Sequence, residues 1–397
     1  MEFLRKAAIT AVFTGIVIFS GCSTPEVNNQ ADDTGETAEV ISHITMIAAG
    51  DNLIHDIIYN NARTSGEDDR FNFNPNYALI RPIIKEADIA FVNQETVMGG
   101  REIGYSGYPV FNTPQDAGEG LILTGFNVIN LASNHSMDKG ERAVYNTMNF
   151  LDSWRITYLG VFRTEEERST KRRIVEKNGI KTGFLSYTYG LNGFVLPRDK
   201  PWLVGLIDKE VMAREIDDLR PHCDLLVVSM HWGDEFRHTA NDFQRDLARF
   251  MADRKVDLIL GHHPHVFGPV EVIPRPDGGN LTVYYSLGDL LSHTQSSWNP
   301  NTIIGALAYI KIKKVAANGE SFCTVEFAGV IPTVCHYERG RRGPFAVYPL
   351  WDYNDDLASR HFKTNITMDY LNKTAADIFD IRVLDKKLYE SYLANSN

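Results

Sequence analysis

The chain has 397 residues, 43% of them hydrophobic, and a formal net charge of −11. That is enough apolar sequence to bury one large domain or two smaller ones. The acidic balance excludes nucleic acid as the expected partner, because binding a polyanion needs concentrated positive charge; the basic runs Arg172-Arg173 and Arg339 to Arg342 read as solvated surface.

The N-terminus reads as a targeting segment. Arg5 and Lys6 precede an apolar stretch, residues 7–19, that is too short to span a bilayer. Phe19-Ser20-Gly21 then places small residues before Cys22. This resembles a bacterial lipoprotein signal, with Cys22 as the lipidated first residue of the mature protein. Residues 1–22 are therefore set aside as the signal, and residues 23–43, polar and poor in large apolar side chains, as a flexible tether. The expected location is the extracytoplasmic side of the cell membrane, held by a lipid anchor.

From Ile44 apolar runs alternate with amphipathic stretches, as in an α/β domain, here given the bounds 44–345. Strands are expected at residues 44–49, 87–92, 127–132, 156–159, 179–187, 225–230 and 256–260. Helices are expected at residues 77–86, 140–154, 209–219 and 241–254. Residues 190–206 are irregular and read as a lid or rim loop. Residues 281–287, 305–315 and 321–332 alternate apolar and polar with Gly-Asn and Asn-Gly turns between them, as antiparallel strands do. A C-terminal extension, 346–397, contains a helical pattern over residues 368–394. Cys223, Cys323 and Cys335 match no zinc spacing, and at most one pair can form, Cys323 with Cys335 across a hairpin.

The chemistry concentrates in five short segments: Asp51, Asn93-Gln94-Glu95, Asn134-His135, His231 to Glu235, and His262-His263-Pro264-His265. Most follow an apolar, β-branched run, as ligands do when loops at strand ends present them. Each residue alone has a structural use. Asp51 could cap a helix near Leu53, Asn134 could make a turn, and His231 could be a satisfied core histidine. Five ligand types at successive strand ends are hard to reach by independent accident. Carboxylate and imidazole donors together suit Mn, Zn or Fe ions, and Asn adds a neutral oxygen. Two such ions clamp the attacking and leaving oxygens of a phosphoester and acidify bound water.

Asp51, Asn134-His135, His231 and the His-x-His at His263 and His265 resemble, in order and spacing, the calcineurin-like metallophosphoesterase superfamily. More closely, Gly-Asp-Asn-Leu-Ile-His, Asn-x-Glu, Ser-Asn-His-x-x-Asp-x-Gly, His-Trp-Gly-x-Glu, Gly-His-His-Pro-His-Val and Tyr-Ser-Leu-Gly-Asp resemble the CapA family, named for poly-γ-glutamate capsule synthesis. The resemblance spans roughly residues 45–291. It implies a four-layered αββα sandwich of the metallophosphoesterase type with ligands on loops at strand ends. It also implies a divalent transition-metal cofactor, two ions, with Asp51 and His265 at one and Asn134, His231 and His263 at the other. Glu95 would bridge them, and His135 would assist the leaving group. Asp138 would orient His135 or else cap the following helix.

Two departures stand out. Leu53 occupies the histidine position of the superfamily's Asp-x-His, with His55 nearby as a substitute, and Asn93 and Glu95 replace the usual bridging aspartate. Glu235 and His262 are further candidates. The functions implied are a membrane-anchored, metal-dependent hydrolase acting on a cell-envelope substrate or anionic polymer, or a non-catalytic accessory of the polymer synthesis or export machinery. An amide hydrolase trimming the polymer would use the same site.

Overall fold

The parallel strands read as unbroken apolar runs because they are buried on both faces. The structure, a computed structural model, describes residues 39–65, 70–294, 300–338 and 344–394. The expected signal segment with Cys22, residues 23–38 of the expected tether, and Arg339 to Arg342 lie outside them. Among the described residues no helix is long and apolar enough to cross a membrane.

The first half of the chain runs β1 (Val40–Asn52), α1 (Asp56–Ala62), α2 (Asn74–Tyr77), α3 (Arg81–Lys85), β2 (Ile89–Gln94), α4 (Gln115–Thr124), β3 (Val128–Asn130), α5 (Gly140–Ser153) and β4 (Thr157–Leu159). It continues with α6 (Glu165–Thr170), β5 (Arg173–Lys177), β6 (Ile180–Thr188), α7 (Lys209–Leu219), β7 (Leu225–His231), α8 (Asp242–Asp253) and β8 (Leu258–His262). The remainder is β9 (Val270–Pro274), β10 (Asn280–Tyr284), β11 (Asp289–Leu291), β12 (Ile304–Ala317), β13 (Glu320–Tyr337), β14 (Phe345–Pro349), α9 (Asp355–Arg360), α10 (Met368–Ile378) and α11 (Lys386–Ala394).

Two sheets result. One has the order β14-β13-β12-β1-β2-β3-β4, with β11 also paired to β1; the other has the order β5-β6-β7-β8-β10-β9. Along β7 the side chains alternate with the period of two that a pleated strand imposes. Leu225 and Val227 join Phe184, Leu258 and Leu260 in the core shared with Met46 and Ala48 of β1. Leu226, Val228 and Met230 point the other way, onto Met212 and Ile216 of α7 and Leu247 and Met251 of α8. Leu121 of α4 and Met148 and Leu151 of α5 are buried with the first sheet. The order of layers is helix, sheet, sheet, helix: the four-layered αββα sandwich.

Several elements depart from the sequence reading. Residues 77–86 are not one helix: Pro82 sits in the first turn of α3, where its missing N–H is tolerated, and separates α3 from α2. β5 was not expected. Three of its five residues are charged, and it forms an antiparallel edge against β6 through Asn178-Gly179, both at positive φ (49° and 74°), as a two-residue hairpin requires. β10 pairs antiparallel only with β9; with β8 it is parallel.

At the start of the domain, β1 reaches back to Val40, because pairing with β12 extends it beyond its apolar run. At the other end, residues 346–349 belong to β14, paired with β13, so the C-terminal helices begin only after that strand. Cys323 and Cys335 both lie on β13, twelve residues apart on an extended strand, and both are free thiols.

Candidate metal centre

Strand register brings the chemistry together. In the first sheet Asp51 is paired with Asn93 and with Asp289, and Asn93 with Asn130; in the second, His231 is paired with His262. Gly50 makes one of these approaches possible. A Cβ there would lie 1.8 Å from the Gly288 carbonyl, which accepts the Asp51 amide at 2.9 Å.

Around Asp51 the contacts are closed. Its Oδ1 accepts from Asn93 Nδ2 at 2.7 Å and its Oδ2 from the His263 backbone N–H at 3.0 Å. His265 Nδ1 lies 3.5 Å from Asp51 Oδ2 and 2.9 Å from Asp289 Oδ1. The other Asp289 oxygen accepts from the hydroxyls of Ser292 and Thr294. Burial raises the carboxyl of Asp51, but the adjacent His262 imidazole, the His265 imidazole and the bond from Asn93 hold it below the usual range. Burial opposes protonation of His265, yet Asp289, Glu95 and Asp51 outweigh it and push that imidazole well above its ordinary value.

Around Glu95 the contacts are open. Neither carboxylate oxygen has a hydrogen-bond partner among the described residues, and the group is fully buried. Its Oε1 lies 3.6 Å from His231 Nε2, which in turn sits 2.9 Å from Asn134 Oδ1. His263 Nδ1 is likewise buried without a partner among the described residues. Burial, with the Asp51 charge added, pushes the Glu95 carboxyl far up; burial and neighbouring imidazoles push His231 far down and His263 down to about 3. His263 and His265 flank Pro264 at positive φ, 98° and 59°, a conformation that side chains with a Cβ rarely adopt.

Three groups of side chains have ligand atoms within 4.8 Å of one another: Glu95, His231 and His263; Asp51, His265 and Asp289; and Glu235, His263 and His265. The first two groups are buried throughout and compatible with metal binding. The donor set fits a cation on its own chemistry, because a fully buried carboxylate facing neutral imidazoles needs positive charge.

The other sequence candidates fall around these groups. His135 Nδ1 lies 2.8 Å from Asp138 Oδ2, which also accepts the Phe111 amide at 2.7 Å. The N-cap of α5 is Lys139 without a side-chain cap bond, so Asp138 orients His135 and does not cap. Asp51 is no cap either, since α1 begins at Asp56 behind His55. His55 stands outside the three groups, its Nδ1 3.1 Å from the Leu53 carbonyl and 3.2 Å from the His293 amide, so it does not take over the role of the missing histidine. Asn93 turns its amide, not its oxygen, toward Asp51, which sets it beside the ligands. Glu235 is exposed at the mouth. His262 stacks on Phe91 with Nδ1 3.5 Å from Asp51.

Four residues were missed. Asp289 ends the Tyr-Ser-Leu-Gly-Asp motif after an apolar run, the same signal as the five segments. Asn130 bridges inward, its Nδ2 donating to Asn93 Oδ1 at 2.7 Å and its Oδ1 accepting from Ser186. Just after β6 the Tyr189 ring centre lies 4.7 Å from that of His263, and from the irregular loop Asn192 Nδ2 lies 3.4 Å from both ring nitrogens of His135. No pattern marked these two.

Residues 45–294 match the model of the bacterial capsule synthesis protein family PGA_cap. The chain belongs to this family. PGA biosynthesis protein CapA of Bacillus subtilis is 32% identical over 167 residues, 42% of this chain and 42% of that protein. Capsule biosynthesis protein CapA of Bacillus anthracis is 29% identical over 173 residues, 42% of this chain and 40% of that protein. The matches thus span about two fifths of these curated relatives' length. A solved NAD nucleotidase from Haemophilus influenzae has a TM-score of 0.44 at 12% identity, covering 90% of this chain and 67% of that one.

Proposed function

We propose that this PGA_cap protein is a membrane-anchored, metal-dependent hydrolase of a cell-envelope substrate, an anionic polymer or a phosphoester associated with poly-γ-glutamate capsule synthesis. The observation that carries the reading is Glu95: a fully buried carboxylate with both oxygens unpartnered among the described residues, beside His231 and His263. Glu95, Asn134, His231 and His263 would hold one ion, and Asp51, His265 and Asp289 a second. The ions, when bound, supply Lewis acidity and a nucleophile at neutral pH.

The chain's own part follows from its hydrogen bonds. Asp138 accepts from His135 Nδ1 and fixes the ring, leaving Nε2 to pass a proton to a departing group. The Asn192 amide limits how that ring can turn, and Tyr189 walls the approach beside His231 and His263. Anchoring through Cys22 on the outer side of the membrane completes the proposal.

Hydrolysis of a chromogenic phosphodiester by the manganese-loaded protein tests it. We expect His231→Ala to lose metal and activity together. His135→Gln should keep its metal and lose roughly 100-fold or more in kcat, as removal of a positioned acid does. A second reading, a non-catalytic metal-binding accessory of polymer synthesis or export, is favoured by Leu53, which fills the usual histidine position as a core side chain. A metal-loaded protein inert toward both phosphoesters and γ-glutamyl amides would establish that second reading and overturn the first.

A further inference from the structure

Away from the metal centre, α6, the end of β4, β6 and α7 enclose a cavity of about 540 Å³. That size is typical of a small-molecule site. Its interior is apolar and aromatic, with Phe184 at the floor and Phe162 and Trp202 as walls. Its charge runs against the rest of the chain. Five basic residues line it (Arg168, Lys171, Arg172, Arg173 and Arg214) against three acidic ones, in a protein of net charge −11. Most of this charge is already engaged. Arg168 pairs with Glu215 at 2.7 Å, Arg172 with Asp218 at 2.9 Å, and Arg173 and Lys171 share Glu167 at 3.0 and 3.1 Å. Glu215 also accepts from the Tyr187 hydroxyl at 2.6 Å. Arg214, exposed on α7, has no ion-pair partner among the described residues.

The floor is wired to the metal centre. Ser186 lines the cavity and donates to Asn130 Oδ1. Asn130 donates to Asn93 at 2.7 Å, and Asn93 to Asp51 at 2.7 Å. Turning the Ser186 hydroxyl toward a ligand removes its bond to Asn130 Oδ1 and leaves that amide to the Ala132 backbone, whose N–H reaches Oδ1 at 3.3 Å and whose carbonyl accepts from Nδ2 at 3.2 Å; the shift disturbs the next two bonds of the row.

We propose that this cavity is a second binding site, for a soluble amphiphilic anion with a phosphate or carboxylate head and an acyl or aromatic body. The head meets Arg214 at the mouth and the body fills the space between Phe162, Phe184 and Trp202. Occupancy is transmitted to Asp51 through Ser186, Asn130 and Asn93. This inference does not depend on hydrolysis by the metal centre.

Octyl phosphate is the probe. Titrated into the full chain, it should change tryptophan fluorescence, and Trp202→Phe should remove the change. Arg214→Glu should weaken octyl phosphate at least ten-fold while leaving octanol unaffected, and inorganic phosphate alone should give no response. Backbone hydrogen exchange over residues 93–95 should shift on binding in the wild type, with no metal present, and not in Ser186→Ala. No fluorescence change that depends on Trp202, or equal binding by Arg214→Glu, overturns the site. An unchanged exchange pattern in the liganded wild type overturns the relay.

Discussion

Around Asp51, His265 and Asp289 every carboxylate oxygen faces a donor from the chain, whereas around Glu95, His231 and His263 the carboxylate faces none. The two halves of the centre use the same residue types at neighbouring strand ends. They differ in what supplies the compensating charge. In the Asp51 half the chain does, through His265, which Asp289, Glu95 and Asp51 push well above its ordinary value. In the Glu95 half nothing in the chain does, and burial instead pushes the carboxyl up. A buried charge must be neutralised by a partner or by protonation, and the two halves display one solution each.

Substitutions should therefore act in opposite senses. The largest effect is expected from Glu95→Gln, which should cut affinity for the first ion by about 100-fold or more, read by calorimetry with manganese. In chelated protein the same change should help. Because the folded pKa of Glu95 lies above its unfolded value, wild-type stability falls as pH rises from 4.5 toward that raised value, and Glu95→Gln removes the fall. Thermal unfolding at pH 5 and pH 8 decides it; equal slopes for the two proteins would erase the contrast.

Asp289→Asn should instead destabilise the chelated protein, by about 1.5–3 kcal/mol, since it breaks a hydrogen bond to a charged group. A gain in Tm would show that His265 is not held by Asp289. A smaller effect is expected far from the centre, at His361, buried beside His336 and pushed down to about 4 by that burial. Its neutral form belongs to the folded state, so its contribution is present above pH 6.5 and lost as pH falls toward 4. By linkage this is on the order of 1–2 kcal/mol at pH 5, and His361→Gln should flatten that part of the acid unfolding curve.

What was legible in the sequence had local causes. α7 was bounded correctly because Asp208 caps it, accepting from Glu210 and Val211, and because its apolar residues keep helical spacing. α8 carries a full capping box at Asn241 and Gln244. The candidate metal-centre residues stood out because most of their segments follow an apolar run. What was hidden depended on distant partners. β5 is a strand only because β6 lies beside it, and the direction of β10 follows from where β8 ends. Asn130 looked like a strand residue until its neighbours Asn93 and Ser186 were in place. Asn192 reaches His135 from a loop held at φ 50°, which no spacing rule encodes. The cavity is assembled from four elements that are not contiguous in the chain.

The left-handed backbone at His263 and His265 has a consequence for any experiment that evolves this protein. Each such residue carries a conformational cost of roughly 1 kcal/mol that the surrounding fold must offset. A library selected for heat resistance alone should therefore enrich His263→Gly early, trading an imidazole for a relaxed turn. Lineages that keep both histidines under that pressure would mark the tripeptide as something the cell uses.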